Sequence, residues 1–404
     1  MKILLLTYAI DSSAPGVVYQ RLLQEMCKYY QIDAVVSKYE PTMPDVINGQ
    51  VNIIENKTVF SFSGRLNRMF ISLFRHDPYN IIWGFKVKKQ VSSDYDLVFS
   101  FVQQDRIASL YAGRFIQNKY GIKWAIFAVD AVPSPSKIKK QSKSCMGMLS
   151  VSDIEASKIY RQARISAVAS LLQHVDLLTS ANQKMLDYQC SIFANKPTLV
   201  KDVVFDPAEQ VDAIDPRTDV SCPTFLYAGR IQGNRRIDNL VSAFVRLLKD
   251  EPEARLVFVG KIDPLQMKAF EGISDDVMTH VSINGFVNDL LPYYSEATVL
   301  LDLDIDSDYN VFLSSKITSY VSIPRVILCE TDSNSPSSML LGGLKTVIHC
   351  AHNATSVYEG MKKALTVARS SDLSFQERDP VRHQFMASTI VEKLNGIISQ
   401  MVSR

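Results

Sequence analysis

Short apolar runs, each stopped by glycine, proline or a polar cluster, alternate along this chain with longer segments whose apolar residues recur every three or four positions. The first run, Lys2-Ile-Leu-Leu-Leu-Thr-Tyr-Ala-Ile10, leads into a loop around Pro15 and Gly16 and then into Val18, Leu22, Leu23 and Met26 at helical spacing. Further strands are predicted over 96–101, 124–130 and 175–180, and helices over 107–118 and 152–172. In the second half, Phe225-Leu-Tyr-Ala-Gly-Arg230, Ala254-Arg-Leu-Val-Phe-Val-Gly260 and Val281-Ser-Ile-Asn284 read as strands, and Ile237, Leu240, Val241 and Phe244 as one face of a helix. Continuously apolar strands separated by helices predict parallel sheets wrapped on both faces, an α/β fold.

The alternation breaks between Phe205 and Pro223, where Pro207, Pro216 and Pro223 stand among several acids. This predicts a linker over 206–223 between a domain at 1–205 and a second at 224–375. A terminal segment, 376–404, carries a helix around Phe385 to Val402 with Ile390, Leu394 and Ile397 on one face.

Composition narrows the classes. A chain of 404 residues, 47% hydrophobic and 21% charged, is too long for one small core. A net charge of +2 gives no polyanion signal, so no nucleic acid partner is expected. The six cysteines lack metal or redox spacing and read as reduced thiols of a cytoplasmic protein. The apolar N-terminus is too short for a signal peptide and lacks a cleavage site, and no apolar run reaches transmembrane length. A nicotinamide enzyme is disfavoured because Asp11-Ser-Ser-Ala-Pro-Gly16 follows the first strand in place of GxGxxG.

Three pieces of the second half point to one nucleotide diphosphate. The strand ending in Gly229 and Arg230 is followed by Arg235 at the start of a helix; two further strands end in Gly260 and in Gly285 and Phe286; and Ser314, Ser315 and Lys316 precede Ile317, Tyr320 and Val321 at helical spacing. Strand ends in parallel sheets open toward ligand crevices, and serines at a helix start cap it while its free N–H groups favour phosphate. An isolated arginine is more often a solvated surface cation. Placement after strands and at a helix start favours the binding role for Arg230, Arg235 and Lys316.

The order Gly-Arg, basic residue, strand-Gly, Gly-Phe-Val, Ser-Lys-helix, Pro-Arg-Val-Ile resembles the donor half of GT-B glycosyltransferases, most closely the family-4 type (glycosyl transferases group 1). The resemblance implies a GT-B fold, two Rossmann-like parallel-sheet domains facing a central cleft, with the terminal helix crossing back to the first domain. It implies that Arg230 and Arg235 bind the donor diphosphate, that the donor is a UDP- or GDP-sugar, and that neither cofactor nor metal is required. Gly285 and Phe286 are expected at the base, and Gly16 where backbone approaches donor or acceptor. Arg235 stands where lysine is usual and Arg236 where glycine is. The resemblance implies a hexosyltransferase-like, retaining enzyme, but Val311 and Ser319 occupy the positions of the family's two glutamates, so inversion stays open.

In the first half, Asp130 ends an apolar strand before Ala-Val-Pro133-Ser-Pro135, where a carboxylate either caps the loop or accepts the acceptor hydroxyl's proton. Asp302, Asp304, Asp306 and Asp308 lack a calcium-loop spacing and read as strand faces and donor-loop residues. From Lys57 to Lys89 seven Lys/Arg and one carboxylate, Asp77, are interleaved with Phe60, Phe62, Phe70, Phe74, Trp83 and Phe85. The aromatics either anchor the face on an anionic membrane or form core beneath snorkelling cations. Arg65, Arg68 and Arg75, with Lys139 and Lys140 near Asp130, are the candidate membrane or acceptor patch. The expected activity is sugar transfer from a nucleotide sugar to a glycan or lipid-linked acceptor in surface polysaccharide assembly, cytoplasmic or peripheral at the inner membrane face. A nucleotide-sugar epimerase, which needs its own acid and base in the donor cleft, and a noncatalytic nucleotide- or partner-binding homologue are the alternatives.

Overall fold

The computed structural model describes residues 1–40, 51–56, 64–102, 106–135, 158–209, 211, 213–216, 219–233, 235–307 and 309–403. The chain divides into two compact units, Met1–Pro207 with Ala387–Arg404, and Ala208–Met386.

The first unit holds strands β1 (Lys2–Ile10), β2 (Gln31–Tyr39), β3 (Val51–Glu55), β4 (Leu97–Val102), β5 (Lys123–Ala128), β6 (Leu177–Ser180) and β7 (Val200–Val203) in the order β3-β2-β1-β4-β5-β6-β7. Every pairing is parallel. Helices α1 (Ala14–Met26), α2 (Gly64–Phe74), α3 (Pro78–Gln90), α4 (Ala108–Tyr120), α5 (Lys158–Leu172) and α6 (Gln183–Ser191) connect them. The runs centred on β1 and β4 are buried along nearly their whole length, as a parallel sheet covered on both faces requires. On one face Leu22 and Leu23 of α1 pack with Leu5 and Phe99. On the other Leu110, Ala112 and Ile116 of α4 pack with Leu4, Val98 and Ile126. Ser13 caps α1 by accepting from the Gly16 amide.

The second unit holds β8 (Thr224–Ala228), α7 (Asp238–Leu247), β9 (Arg255–Val259), β10 (Val281–Asn284), α8 (Leu291–Glu296), β11 (Val299–Leu303), α9 (Ser315–Tyr320), β12 (Val326–Glu330), α10 (Pro336–Leu341), β13 (Val347–Cys350) and α11 (Ala354–Ala368), with shorter helical turns between. Its sheet is again all parallel, in the order β10-β9-β8-β11-β12-β13. Leu240 and Phe244 of α7 and Met361 and Leu365 of α11 close one face over Phe225, Leu256 and Leu301. Among the described residues of 206–223, read from sequence as linker, none lies in a regular element; the Asp215 carbonyl accepts from the buried Arg325 guanidinium, which also donates to Ser295 O. Arg378, also buried, donates to Thr346 and to Ile323 O. These guanidiniums donate to groups at the end of α8 and in the irregular segments that flank the strands.

The last helix, α12 (Ala387–Val402), lies in the first unit. Its Ile390, Val391, Leu394, Ile397, Ile398 and Met401 join the same core as α1. Lys393 donates to Val203 O, and the Tyr30 hydroxyl to Asn395. Replacing the fully buried Leu394 by alanine is expected to cost about 2–5 kcal/mol, read as a lower urea midpoint of the first unit with the second unit's transition unmoved.

Candidate functional site

At the C-terminal edge of the second sheet, β8, β9 and β10 end in glycines that meet. Gly229 (φ +145°) donates from its amide to Val259 O. Gly260 (φ +121°) donates to Asn284 O and Gly285 O, and a β-carbon on it would lie 2.4 Å from Gly229 O. Only glycine fits that contact, and it leaves bare backbone facing outward. On Gly229 an added β-carbon would come within 3.4 Å of the Lys316 side chain. Gly285 has open space where its side chain would be, and the neighbouring Phe286 ring is 84% exposed.

The cations gather around one carboxylate. Asp302, one residue before the end of the apolar β11 run, is fully buried. Its Oδ1 accepts from Ser314 Oγ at 2.6 Å and lies 3.5 Å from Lys316 Nζ, while Oδ2 has no hydrogen-bond partner among the described residues. Lys316 Nζ also stands 4.9 Å from the centre of the Tyr227 ring, a cation–π contact. Arg235 points the same way: burial opposes its charge, but the Tyr227 phenol and the carboxylates of Asp302 and Asp304 outweigh it and raise its pKa. Asp304 is raised by burial and by the Asp302 charge. Arg230 extends into solvent, 3.6 Å from Asp263, while its carbonyl accepts from the Tyr227 hydroxyl.

One expectation is corrected here. Ser314 is the residue before α9, yet its side chain makes no cap bond, because its hydroxyl is committed to Asp302. The Ser314 side chain therefore satisfies none of the first amides of this short helix, although its carbonyl accepts from the Ile317 amide. Ser315 opens the helix and Lys316 follows it on the buried side. Arg236, one residue past Arg235, turns away and forms a bidentate pair with Asp238. The structure thus brings Arg235, Ser314 and Lys316 together around Asp302, with Arg230 at the rim, and leaves Phe286 at the ends of β9 and β10. Asp302 was read from sequence only as a polar strand face, and Tyr227 was not singled out. The available signal was a lone carboxylate in the otherwise apolar Val299-Leu-Leu-Asp-Leu303.

In the first unit, Asp130 is half-buried just after β5, and burial raises its carboxyl to about 6. Asp206, buried, is pushed to about 8 by burial and by the Asp130 charge, against the pull of Arg21. Its Oδ1 and the buried Tyr19 hydroxyl have no hydrogen-bond partner among the described residues. Gly16 belongs to this unit, and the backbone it approaches is that of Asp11: an added β-carbon would lie 2.4 Å from Asp11 O.

The basic, aromatic stretch divides. Trp83 is core, its indole donating to Asn56 O, and Asp77 caps α3 by accepting from the Tyr79 and Asn80 amides. Phe85 is exposed but stacked on Phe115. On α2, Ile71 is buried with Tyr160 and Ala163, while Leu66, Met69, Leu73 and Phe74 are exposed. Arg68 is half-buried, and Arg75, exposed, follows the helix with φ 61°. Arg65 is the second residue of the helix; Phe60, Phe62, Asp308, Lys139 and Lys140 lie outside the described residues. Among the described residues no cluster of His, Cys, Asp or Glu could hold a metal ion, and no helix is long and apolar enough to cross a membrane.

Two parallel sheets with these connections define the GT-B class. The fold is shared, over nearly full lengths, with Alr3699/HepE of Anabaena in complex with UDP (TM-score 0.67, 12% identity, covering 99% of this chain and 100% of that one). It is shared also with a glycosyltransferase from Rickettsia africae (0.66, 12%, 99% and 98%) and with WaaG, a glycosyltransferase involved in lipopolysaccharide biosynthesis (0.65, 13%, 98% and 99%). Within the chain, residues 222–301, from the start of β8 into β11, match the sequence profile of the family described as Glycosyl transferases group 1, so the resemblance read from the residues is borne out. Comparison with curated proteins gives no match.

Because Asp206 is protonated in the folded protein over a range where the unfolded chain is ionised, stability falls as pH rises from its ordinary 3.8 toward about 8. Asp206→Asn, which mimics the protonated form, is expected to raise the melting temperature at pH 7, with the gain fading toward pH 4 in a thermal melt series.

Proposed function

We propose that this protein is a glycosyltransferase that moves a sugar from a UDP- or GDP-sugar to a glycan or lipid-linked acceptor in surface polysaccharide assembly. The observation that carries the reading is the gathering of Arg235, Lys316 and Ser314 around the buried Asp302, beside glycine backbone at the ends of β8 and β9. A nucleoside diphosphate gains negative charge on its outer phosphate as the bond to the anomeric carbon breaks, and cations fixed beforehand stabilise that charge without reorganising. Lys316 is held by Asp302 and by the Tyr227 ring, while Arg230, exposed, can fold over the bound phosphates. Each charge-assisted bond contributes about 1.5–3 kcal/mol. The exposed Phe286 and the backbone at Gly285 are the proposed base contact. The UDP complex of the Anabaena protein supports uridine as the base, and the role of WaaG in lipopolysaccharide biosynthesis supports a surface glycan as product.

Asp130 is the proposed general base. The acceptor hydroxyl oxygen forms the new bond to the anomeric carbon, its proton passes to the Asp130 carboxylate, and the nucleoside diphosphate leaves with the bonding electrons. A carboxyl raised to about 6 stays ionised at neutral pH yet is a stronger base than an ordinary aspartate. The α2 face, with Leu66, Met69, Leu73 and Phe74 exposed beside Arg68 and Arg75, is the proposed contact with an anionic membrane at the cytoplasmic face.

Calorimetry with a panel of nucleoside diphosphates is expected to find one that binds, and Arg230→Ala and Lys316→Ala each to weaken it about tenfold or more. Binding of none by folded protein would overturn the donor site. In liposome flotation, anionic vesicles are expected to carry the wild type, with loss on Leu73→Glu or on charge reversal of Arg65 and Arg68. No flotation of the wild type removes the membrane contact.

A further inference from the structure

Beside the cations, at the same edge of the second sheet, lies a pocket of about 180 Å³ lined by Arg236, Asp238, Asn239, Asp306, Glu330 and His352. Its walls come from the ends of β12 and β13, the loop after β11 and the start of α7. Glu330 is only 3% exposed. Its Oε1 accepts from Asn239 Nδ2 at 3.1 Å and faces His352 Nδ1 at 3.3 Å. Its Oε2, shielded from solvent, has no hydrogen-bond partner among the described residues, and neither has His352 Nε2. A buried carboxylate oxygen left unsatisfied is costly. Two such atoms on residues that line one polar pocket point to a ligand that brings hydrogen-bonding groups with it. Among the described residues no cluster of His, Cys, Asp or Glu there could hold a metal ion. The wall chemistry, acceptors and donors of both signs with little apolar surface, suits neutral hydroxyls better than a phosphate, which Glu330, Asp238 and Asp306 would repel.

The strand order says which hydroxyls. Along the edge, β10 and β9 end at Gly285 and Phe286, β8 and β11 at the diphosphate cations, and β12 and β13 at this pocket. Adjacent strands are about 4.8 Å apart, so base, diphosphate and pocket follow one another in the sequence of a nucleotide sugar's own parts. Asp304, one residue past β11, donates its amide to Glu330 O, which ties the pocket directly to the strand that carries Asp302. The positions where the resembled family has its glutamates hold Val311 and Ser319 here. Val311 is an apolar side chain, buried, and the Ser319 hydroxyl accepts from the Glu209 amide.

We infer that this pocket is the subsite for the glycosyl group of the donor, with Glu330 Oε2 and His352 Nε2 taking sugar hydroxyls. Asn239 and the paired Arg236 and Asp238 hold the walls. The inference rests on the nucleotide-sugar reading above, and the two fail differently. The probes are UDP and GDP, then UDP-glucose, UDP-galactose, UDP-N-acetylglucosamine and GDP-mannose, titrated against the wild type, Glu330→Gln and His352→Asn, with urea midpoints confirming that each variant is folded. The expected result is that the wild type binds one nucleotide sugar more tightly than its parent diphosphate. Both variants then keep the diphosphate affinity within about twofold and bind the nucleotide sugar about tenfold more weakly. Should Glu330→Gln not fold, His352→Asn, at the rim, carries the test alone. Variants that keep the full sugar preference, or a wild type with no preference for any nucleotide sugar over its diphosphate, overturn the subsite. If no diphosphate binds at all, the donor reading falls first.

Discussion

A carboxylate placed near the end of a buried strand sets the terms for everything around it. Asp302 has no solvent to stabilise its charge, so the fold must supply cations and donors, and Lys316, Arg235 and Ser314 are what it supplies. Those groups are fixed before any ligand arrives. A lysine on a free loop loses side-chain entropy when it grips a phosphate; one already held against Asp302 and Tyr227 has lost much of it on folding. The cost is competition, since Asp302 also attracts the cations that a diphosphate would use. The raised pKa of Asp304 limits that competition, because burial beside Asp302 disfavours a second negative charge in the same place.

The same logic, at lower charge density, runs through the first unit. Burial raises Asp130, the Asp130 charge adds to the burial that disfavours ionisation of Asp206, and the buried Tyr19 adds a phenol whose proton is held tightly. Buried like charges of this kind cost stability, and they persist where a site uses them. Both units thus place their strained electrostatics at or just beyond strand ends, where the regular backbone is already paired and the loops are free to vary.

Much of the fold was legible because continuous apolar runs of strand length leave few alternatives. β1, β4, β8, β9 and β10 fall within a residue or two of the patterns that announced them. β2, β3, β7, β12 and β13 were missed; in the first three, Lys38, Asn52 and Lys201 interrupt the apolar character. The donor cations were readable from their place after Gly229 and before α9. Asp302 and Glu330 were not, because a carboxylate inside or at the end of a strand run looks the same whether it faces solvent or a cavity, and only the packing decides. Ser314 shows the complementary failure: its residue type and position say cap, while a buried acid twelve residues earlier claims its hydroxyl. The aromatic stretch from Phe70 to Phe85 divided between core and surface for a similar reason. Helical phase put Ile71 inward and Leu73 outward, and composition alone carries no phase.

The membership of α12 in the first unit has a consequence for how the chain is made. The residues that complete the α1 face of that core are synthesised only after all of the second unit, so on a ribosome moving at about 5–20 residues per second the first sheet waits roughly ten to forty seconds with Leu22, Val18 and their neighbours uncovered. Unit two, continuous in sequence, has no such wait. The nascent first unit is therefore the part of this protein that most needs a chaperone's shelter, and any fusion or clipping that weakens the closing helix would turn a transient exposure into a permanent one.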